Sequence, residues 1–356
     1  MIRRNDIGVV DLFCGVGGLS FGMKKRGFNI IAGFDTDTTC KYAYETNNES
    51  QFISQDVREV TGEQIKALFG DHKIKILAGC APCQPFSSYA FKVKKKDQTK
   101  YTLLYHFGRL IKEVQPDIVT MENVSQILSF KQKPVFNDFV AKLERLGYKV
   151  KYQVVYCPDY GIPQTRKRLV LLASRFGEIE LIKPTHTPDQ YVTVEQTIGN
   201  LPPLVAGETD KKDSLHRARA LSPLNMERMR ATPYGGSWKD WPIHLQLECH
   251  KRESGQSFGS VYGRMKWDAP APTMTTLCTG IGNGRFGHPT QDRAISLREA
   301  ALFQTFPKGY SFFAPDENIS ISKASRYIGN AVPPTLGKIT ADSIIRHLKR
   351  FKLIDK

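Results

Sequence analysis

Between residues 7 and 174, short β-branched runs alternate with stretches whose apolar residues recur every three or four positions. No other feature restricts the fold as strongly. "IGVVDLF" (7–13), "NIIAGF" (29–34), "QFISQD" (51–56), "IKILAGC" (74–80), "DIVTMEN" (117–123), "KVKYQVVY" (149–156) and "RLVLLAS" (168–174) read as strands. The segments "LSFGMKKRG", "TCKYAYETN", "TGEQIKALFG", "LLYHFGRLIKEV" and "VFNDFVAKLERLG" between them read as helices. Such alternation predicts an α/β fold, a mainly parallel sheet wrapped by helices.

The pattern stops near Lys183. From there to about Arg285 the chain is rich in Pro, Gly and polar residues, as in "PYGGSWKDWP" and "KWDAPAPTMTT", which predicts a smaller, loop-rich domain. "ISLREAALFQTFP" (295–307) and "ADSIIRHLKRF" (341–351) restore helices. The expected organisation is a first domain over 1–183, a loop-rich domain over 184–285, and a hinge with return to the first domain over 286–356. A chain of 356 residues is long enough to bury a core for each.

The formal net charge of +16 favours polyanionic partners through phosphate contacts and counterion release. No apolar run approaches membrane-spanning length, and the N-terminus lacks the apolar core of a secretory signal, so a cytoplasmic location is expected. Seven irregularly spaced cysteines do not suggest a disulfide framework.

After the first predicted strand, "DLFCGVGGLS" places Gly15, Gly17 and Gly18 at the opening of a helix. Glycines there let the backbone turn tightly and approach a ligand. The sixth position of a G-x-G-x-x-G match is Ser20, so the nicotinamide fingerprint fails at its helix-packing glycine. Asp35 ends the second strand where a ribose diol could be held. Asp56 ends the third, where a carboxylate could accept from an adenine amino group. Together they suggest a nucleoside-type cofactor; the alternative is a plain turn with helix-capping aspartates.

"GCAPCQPFS" (79–87) spaces Cys80 and Cys83 as C-x-x-C. A zinc site draws on four ligands, usually two paired motifs, and no second C-x-x-C or H-x-x-x-H exists. A thioredoxin-like pair opens a helix, whereas Cys80 falls inside an apolar strand run and reads as a core residue. Cys83 follows in a turn stiffened by Pro82 and Pro85, where a thiol can be presented beyond the sheet. A thiolate forms near neutral pH only with electropositive help. Lys92, Lys94, Lys95, Lys96 and Lys100 follow closely, although they also suit a solvated loop. In "MENV", Glu122 sits in an apolar context where a carboxyl can carry a proton near neutral pH, or be a structural partner of an arginine. In "QTRKR", Arg166 and Arg168 lie two apart and face one side of an extended segment, suiting phosphate or carbonyl oxygens.

Taken in order, "DLFCGVGG", "PCQPFS", "MENV", "QTRKR", "ISLREAALFQTFP" and "IGNAVPP" resemble the motifs of the bacterial DNA (cytosine-5-)-methyltransferase family across nearly the whole chain. The resemblance implies a Rossmann-like S-adenosylmethionine-dependent methyltransferase sheet whose first, fourth and fifth strands are neighbours. It also implies a smaller target-recognition domain between "QTRKR" and "ISLREAA". The implied cofactor is S-adenosyl-L-methionine, leaving as S-adenosyl-L-homocysteine, with no metal. Phe13, Gly15, Val16, Gly18, Asp35, Thr36, Asp56, Val57, Pro82, Leu103, Asn330 and Val332 would surround it. Thr36 stands where the family often has a bulky side chain stacked on adenine, so stacking would fall more to Phe13.

The same resemblance implies the chemistry. The Cys83 thiolate would attack carbon 6 of a cytosine flipped out of the duplex, making carbon 5 able to take the methyl group. Glu122 would donate to ring nitrogen 3; Arg168, with Arg166, would hold oxygen 2 and nearby backbone. Gln84 would fill the space the cytosine leaves, Ser87 would contact a phosphate, and Lys94, Lys95 and Lys96 would close on DNA as a lid. The expected partner is double-stranded DNA, with a monomeric enzyme and a restriction endonuclease of the same specificity as a functional partner where one exists. Rival readings are an RNA cytosine methyltransferase, disfavoured by the roughly hundred residues of the middle region, and an inactive DNA-binding relative. Arg228, Arg230, Lys239, Lys251, Arg252 and Arg264 are candidates for base contacts from charge and loop context alone. Trp238 and Trp241 read as core of the smaller domain, or as DNA contacts.

Overall fold

The computed structural model describes residues 2–82, 102–129 and 134–354. Two compact units divide the chain. The first comprises 1–156, 167–185 and 332–356; the second comprises 157–166 and 186–331.

Seven strands in the first unit match the predicted runs: β1 (Ile7–Leu12), β2 (Asn29–Asp35), β3 (Gln51–Ser54), β4 (Ile74–Gly79), β5 (Ile118–Asn123), β6 (Lys149–Tyr156) and β7 (Lys167–Ser174). Their order is β3-β2-β1-β4-β5-β7-β6. The first five are parallel, and β7 runs antiparallel to both of its neighbours. The sheet is therefore mixed. Order reverses between β1 and β4, the place where such sheets bind ligands beyond their carboxyl ends.

Every residue of β1 and β5 is buried, as expected for strands covered on both faces. The helices α1 (Gly18–Lys24), α2 (Lys41–Asn48), α3 (Gly62–Phe69), α4 (Thr102–Val114) and α5 (Val135–Arg145) connect them. In α4, Leu104, Phe107, Leu110, Ile111 and Val114 fall on one stripe and enter the main core with Val10, Leu77, Val119 and Leu171. The last helix, Pro334–Arg350, starts seven residues earlier than the apolar pattern of 341–351 suggests. Proline fits the first helical turn, where its missing N–H is not needed. Gly337 then permits close packing on α1, since a Cβ there would stand 2.5 Å from the Leu19 carbonyl oxygen.

The second unit is loop-rich. It carries α6 (Val194–Ile198), α7 (Pro223–Ala231), α8 (Glu248–Lys251), α9 (Glu253–Gln256), α10 (Leu297–Phe303) and α11 (Ile321–Asn330). Ser296 and Glu299 form a capping box on α10. Glu299 also meets Arg293 through two bonds of 2.8 and 2.7 Å. Trp238 and Trp241 are buried with Leu245; Trp238 stacks on His250 at 4.1 Å, and Trp241 Nε1 donates to Thr232 Oγ1 at 2.7 Å. Both are core residues of this unit. No helix among the described residues is long and apolar enough to cross a membrane.

Candidate active site

Register brings three strand ends level. Leu12 of β1 pairs with Phe34 of β2 and Gly79 of β4, and Gly79 pairs with Met121 of β5. Because neighbouring strands lie about 4.8 Å apart, the residues following β1 and β4 and the last residues of β5 meet at one edge. The antiparallel β7 begins at this edge, with Leu169 opposite Asn123 and Val170 opposite Glu122.

The glycine loop after β1 is held in an unusual conformation. Phe13, Gly15 and Gly17 have φ of 61°, 50° and 85°. A left-handed phenylalanine is rare and marks a backbone fixed by its surroundings. Asp35 Oδ2 accepts from Gly15 N at 2.8 Å, and its Oδ1 accepts from Asp37 N at 2.9 Å. Burial raises the pKa of Asp35 despite these bonds. A Cβ on Gly15 would meet no atom of the described residues within 4 Å. Val16, Gly18 and Val57 are buried, Pro82 and Leu103 half-buried, and Thr36 exposed.

Asp11 was not singled out from the sequence. It is 1 % exposed in β1 and accepts from Ser20 Oγ at 2.6 Å. Its Oδ1 has no hydrogen-bond partner among the described residues, and burial lifts its pKa to about 7. Ser20, the residue that breaks the nicotinamide fingerprint, thus ties α1 to β1. An aspartate in an otherwise apolar strand was the available signal. A glycine cradle, an unsatisfied buried carboxyl oxygen and Asp35 beside the loop together suit a ligand with a cationic group and a ribose.

Asp56 is already engaged: Arg58 Nε and Nη2 lie 3.0 and 2.6 Å from its two carboxyl oxygens, and this pairing lowers its pKa. In the second unit, Asn330 ends α11 and is exposed. Val332 belongs to the first unit and is buried.

Glu122 is 5 % exposed near the end of β5. Arg168 Nε stands 2.9 Å from its Oε1, yet no N–H points along that line, and Oε1 has no hydrogen-bond partner among the described residues. Cys80 Sγ donates to Oε2 at 3.0 Å. The core role read for Cys80 is corrected here: β4 stops at Gly79, and Cys80 is half-buried beyond it with its thiol against Glu122. Asn123 Nδ2 donates to the Ala81 carbonyl oxygen at 3.2 Å, tying the chain after β4 to the end of β5.

Arg166 and Arg168 part company. β7 starts at Lys167, so only Arg168 lies in the strand. Arg166 is 2 % exposed in the second unit, its Nη1 on the Met274 carbonyl oxygen at 3.0 Å and its Nη2 on that of Ala331 at 3.4 Å. Cys83, Gln84, Ser87, Lys94, Lys95 and Lys96 lie outside the described residues.

Of the candidate base contacts in the second unit, Arg230, Lys239, Lys251 and Arg252 are exposed. Arg228 is half-buried, bonded to the Leu245 carbonyl oxygen at 3.0 Å, with its guanidinium 5.6 Å from the Trp241 ring. Arg264 must be withdrawn from the set. All five of its N–H groups are engaged, by the carbonyl oxygens of Thr232, His288, Gln291 and Met229 and by Asp292.

A family model for the C-5 cytosine-specific DNA methylase matches residues 7–346. The chain is 54 % identical over 341 residues to the type II methylase M.HgiDII of Herpetosiphon aurantiacus, covering 96 % of each chain. It is 30 % identical to the type II methyltransferase M1.HphI of Haemophilus parahaemolyticus, over 95 % of this chain and 86 % of that one. Among solved structures, a prophage-encoded DNA modification methyltransferase of E. coli superposes with a TM-score of 0.74 at 23 % identity, covering 96 % of this chain and 99 % of that one.

Proposed function

Since the chain belongs to the C-5 cytosine-specific DNA methylase family and is a DNA (cytosine-5-)-methyltransferase, we propose that it methylates cytosine in a specific duplex sequence through a covalent adduct of Cys83 at carbon 6 of an unstacked base. The observation that carries this reading is the buried Glu122, whose Oε1 has no hydrogen-bond partner among the described residues at the edge shared by β1, β4 and β5.

S-adenosyl-L-methionine, when bound, supplies an electrophilic methyl on a sulfonium centre. Phe13, Gly15, Val16 and Gly18 would shape the cradle, with Asp11 and Asp35 facing its cationic and ribose groups; Val57, Pro82, Leu103 and Val332 would add apolar contact. Cys83, placed by sequence in the segment that leaves β4, would form the bond to carbon 6. Electron density then shifts toward ring nitrogen 3, where Glu122 would hold a proton and stabilise the developing charge. Arg168 would set a positive charge beside the Glu122 carboxyl and donate to oxygen 2. Arg166, on two main-chain carbonyls, would hold backbone rather than base. Loss of the carbon 5 proton expels the Cys83 thiolate and restores aromaticity.

The base is beyond reach while stacked, so the cytosine would be extruded at a cost of a few kcal/mol. Lys94, Lys95, Lys96 and Ser87 would contact phosphates, and Gln84 would fill the vacated space. The type II names of the relatives support a role in restriction–modification.

DNA carrying 5-fluorocytosine tests the reading, because fluorine blocks the final elimination and traps the adduct. A denaturation-resistant complex with the wild type, absent with Cys83→Ser, is expected. Methylation retained by Cys83→Ser would overturn the assignment. Bisulfite sequencing of DNA from an expressing host would give the target.

A further inference from the structure

The contact between Cys80 and Glu122 has no part in the chemistry just described. The geometry points to Cys80 as a positioning residue for methyl transfer: its thiol hydrogen-bonds Glu122 Oε2 and fixes the carboxyl so that Oε1 is the oxygen presented to the base. This inference rests on the role proposed for Glu122.

Three bonds fix Cys80 beyond the end of β4. Its N–H donates to the Leu12 carbonyl oxygen at 3.2 Å, extending the β1–β4 ladder by one rung. The next residue, Ala81, is held through its carbonyl oxygen by Asn123 Nδ2 at 3.2 Å. The thiol then reaches Glu122 Oε2 at 3.0 Å. Cys80 is thereby braced against β1 on one side and β5 on the other.

Glu122 needs such a brace. Its side chain is 6 % exposed, and a carboxyl group rotates about its last torsion with only a broad preference. Arg168 Nε supplies charge at 2.9 Å from Oε1 without a directed hydrogen bond, so it attracts the group without fixing its plane. The directed bond comes from the thiol. A thiol is a weak donor, but a bond to a carboxyl oxygen in a dry setting is stronger than one in water. With Oε2 engaged by the thiol, the oxygen left to meet the base is Oε1, which has no hydrogen-bond partner among the described residues.

Cys80→Ala, Cys80→Ser, Glu122→Gln and the double variant Cys80→Ala/Glu122→Gln would be assayed as full-length protein with unmethylated phage DNA and tritiated S-adenosyl-L-methionine. Rates would be normalised to the fraction of competent enzyme trapped by 5-fluorocytosine DNA, so loss of folded protein does not count as slow chemistry. Cys80→Ala should lower kcat about tenfold and leave KM for both substrates within about twofold. Cys80→Ser, which keeps a donor, should recover most of the loss. The double variant should be no slower than Glu122→Gln. In the wild type, the S–H stretching band assigned by difference against Cys80→Ala should move when Glu122 is changed to Gln. A Cys80→Ala enzyme with wild-type kcat, a Cys80→Ser enzyme as slow as Cys80→Ala, additive losses in the double variant or an unmoved band would each overturn the inference. If Glu122→Gln is slow while Cys80→Ala is not, only this inference falls. If Glu122→Gln turns over like the wild type, the proposed role of Glu122 falls and takes the inference with it.

Discussion

Arg168 Nε and Glu122 Oε1, 2.9 Å apart, form a diagonal pair across the antiparallel strands β7 and β5. Glu122 sits opposite Val170, so Arg168, two residues earlier, shares its face. The side chains are 15 % and 6 % exposed. Removing one member of such a pair leaves a charge in a dry site without its partner. Arg168→Ala should therefore lower unfolding stability by about 3 kcal/mol, read by urea denaturation, and reduce methylation at least a hundredfold. In the Glu122→Gln background the same substitution should cost much less stability, because no buried charge is left behind. Equal costs in the two backgrounds would show that the pair contributes no coupling.

Asp11 makes stability depend on pH. Its carboxyl is raised from 3.8 to about 7, chiefly by burial and against the Ser20 hydrogen bond. The folded protein thus binds a proton that the unfolded chain releases near pH 4. Its contribution is complete below pH 4 and is lost as pH rises toward 7, with a slope of up to about 1.4 kcal/mol per pH unit. Asp11→Asn keeps an acceptor for Ser20 and cannot ionise. Urea unfolding of the cofactor-free proteins should show the variant gaining on the wild type between pH 5 and 7, then a constant gap. A gap that does not change with pH would remove Asp11 as the source.

The fold was largely legible because each strand is a short β-branched run between helical periods, and β1 to β7 start and end within about two residues of those runs. Residue type drew attention to Glu122, Arg168 and the glycine loop, and the structure sets Arg168 beside Glu122 and the loop beside Asp35. The site was not legible where chemistry depends on contacts between distant segments. Cys80 looked like strand core because "IKILAGC" is apolar throughout, yet its partner lies 42 residues away. Asp11 was overlooked because Ser20, nine residues on, was judged only as a missing glycine. Arg264 was read from charge, while its five partners come from the end of α7 and from loops far along the chain, which no periodicity predicts.

Gly15 and Gly17 should fail differently. A Cβ on Gly15 meets nothing within 4 Å among the described residues, so against them Gly15→Ala faces only the left-handed φ of +50°, a cost of about 1 kcal/mol. The methyl would project into the proposed cofactor cradle, and calorimetry should find S-adenosyl-L-homocysteine bound about tenfold more weakly. A Cβ on Gly17 would stand 2.2 Å from Asn48 Nδ2 and 2.8 Å from Tyr44 Cδ2, both buried. Strain and overpacking together should cost Gly17→Ala about 3 kcal/mol, visible as a large drop in Tm. A Gly15→Ala protein that binds the ligand normally would place the cofactor elsewhere.

Arginines of the second unit separate by what their guanidinium groups already bind. Arg264→Ala would remove the Arg264 donors from the Thr232 and His288 carbonyl oxygens and from Asp292, and one of two donors from those of Met229 and Gln291, in a site where Arg264 is 5 % exposed. Each buried acceptor left without a partner costs about 1–3 kcal/mol, so this variant should unfold at far lower urea or be recovered insoluble. Arg230 is 70 % exposed at its side chain, with only a 3.8 Å approach to Asp292, and Arg252 is exposed in the turn between α8 and α9. Arg230→Ala and Arg252→Ala should keep wild-type Tm. If they contact phosphates, each should weaken DNA binding several-fold at low salt, and each should reduce the slope of log affinity against log salt by about one. Fluorescence anisotropy over a salt series reads both quantities. A variant that lowers affinity with an unchanged salt slope would instead mark its arginine as a base contact, and an affinity identical to wild type would take that arginine out of the DNA interface.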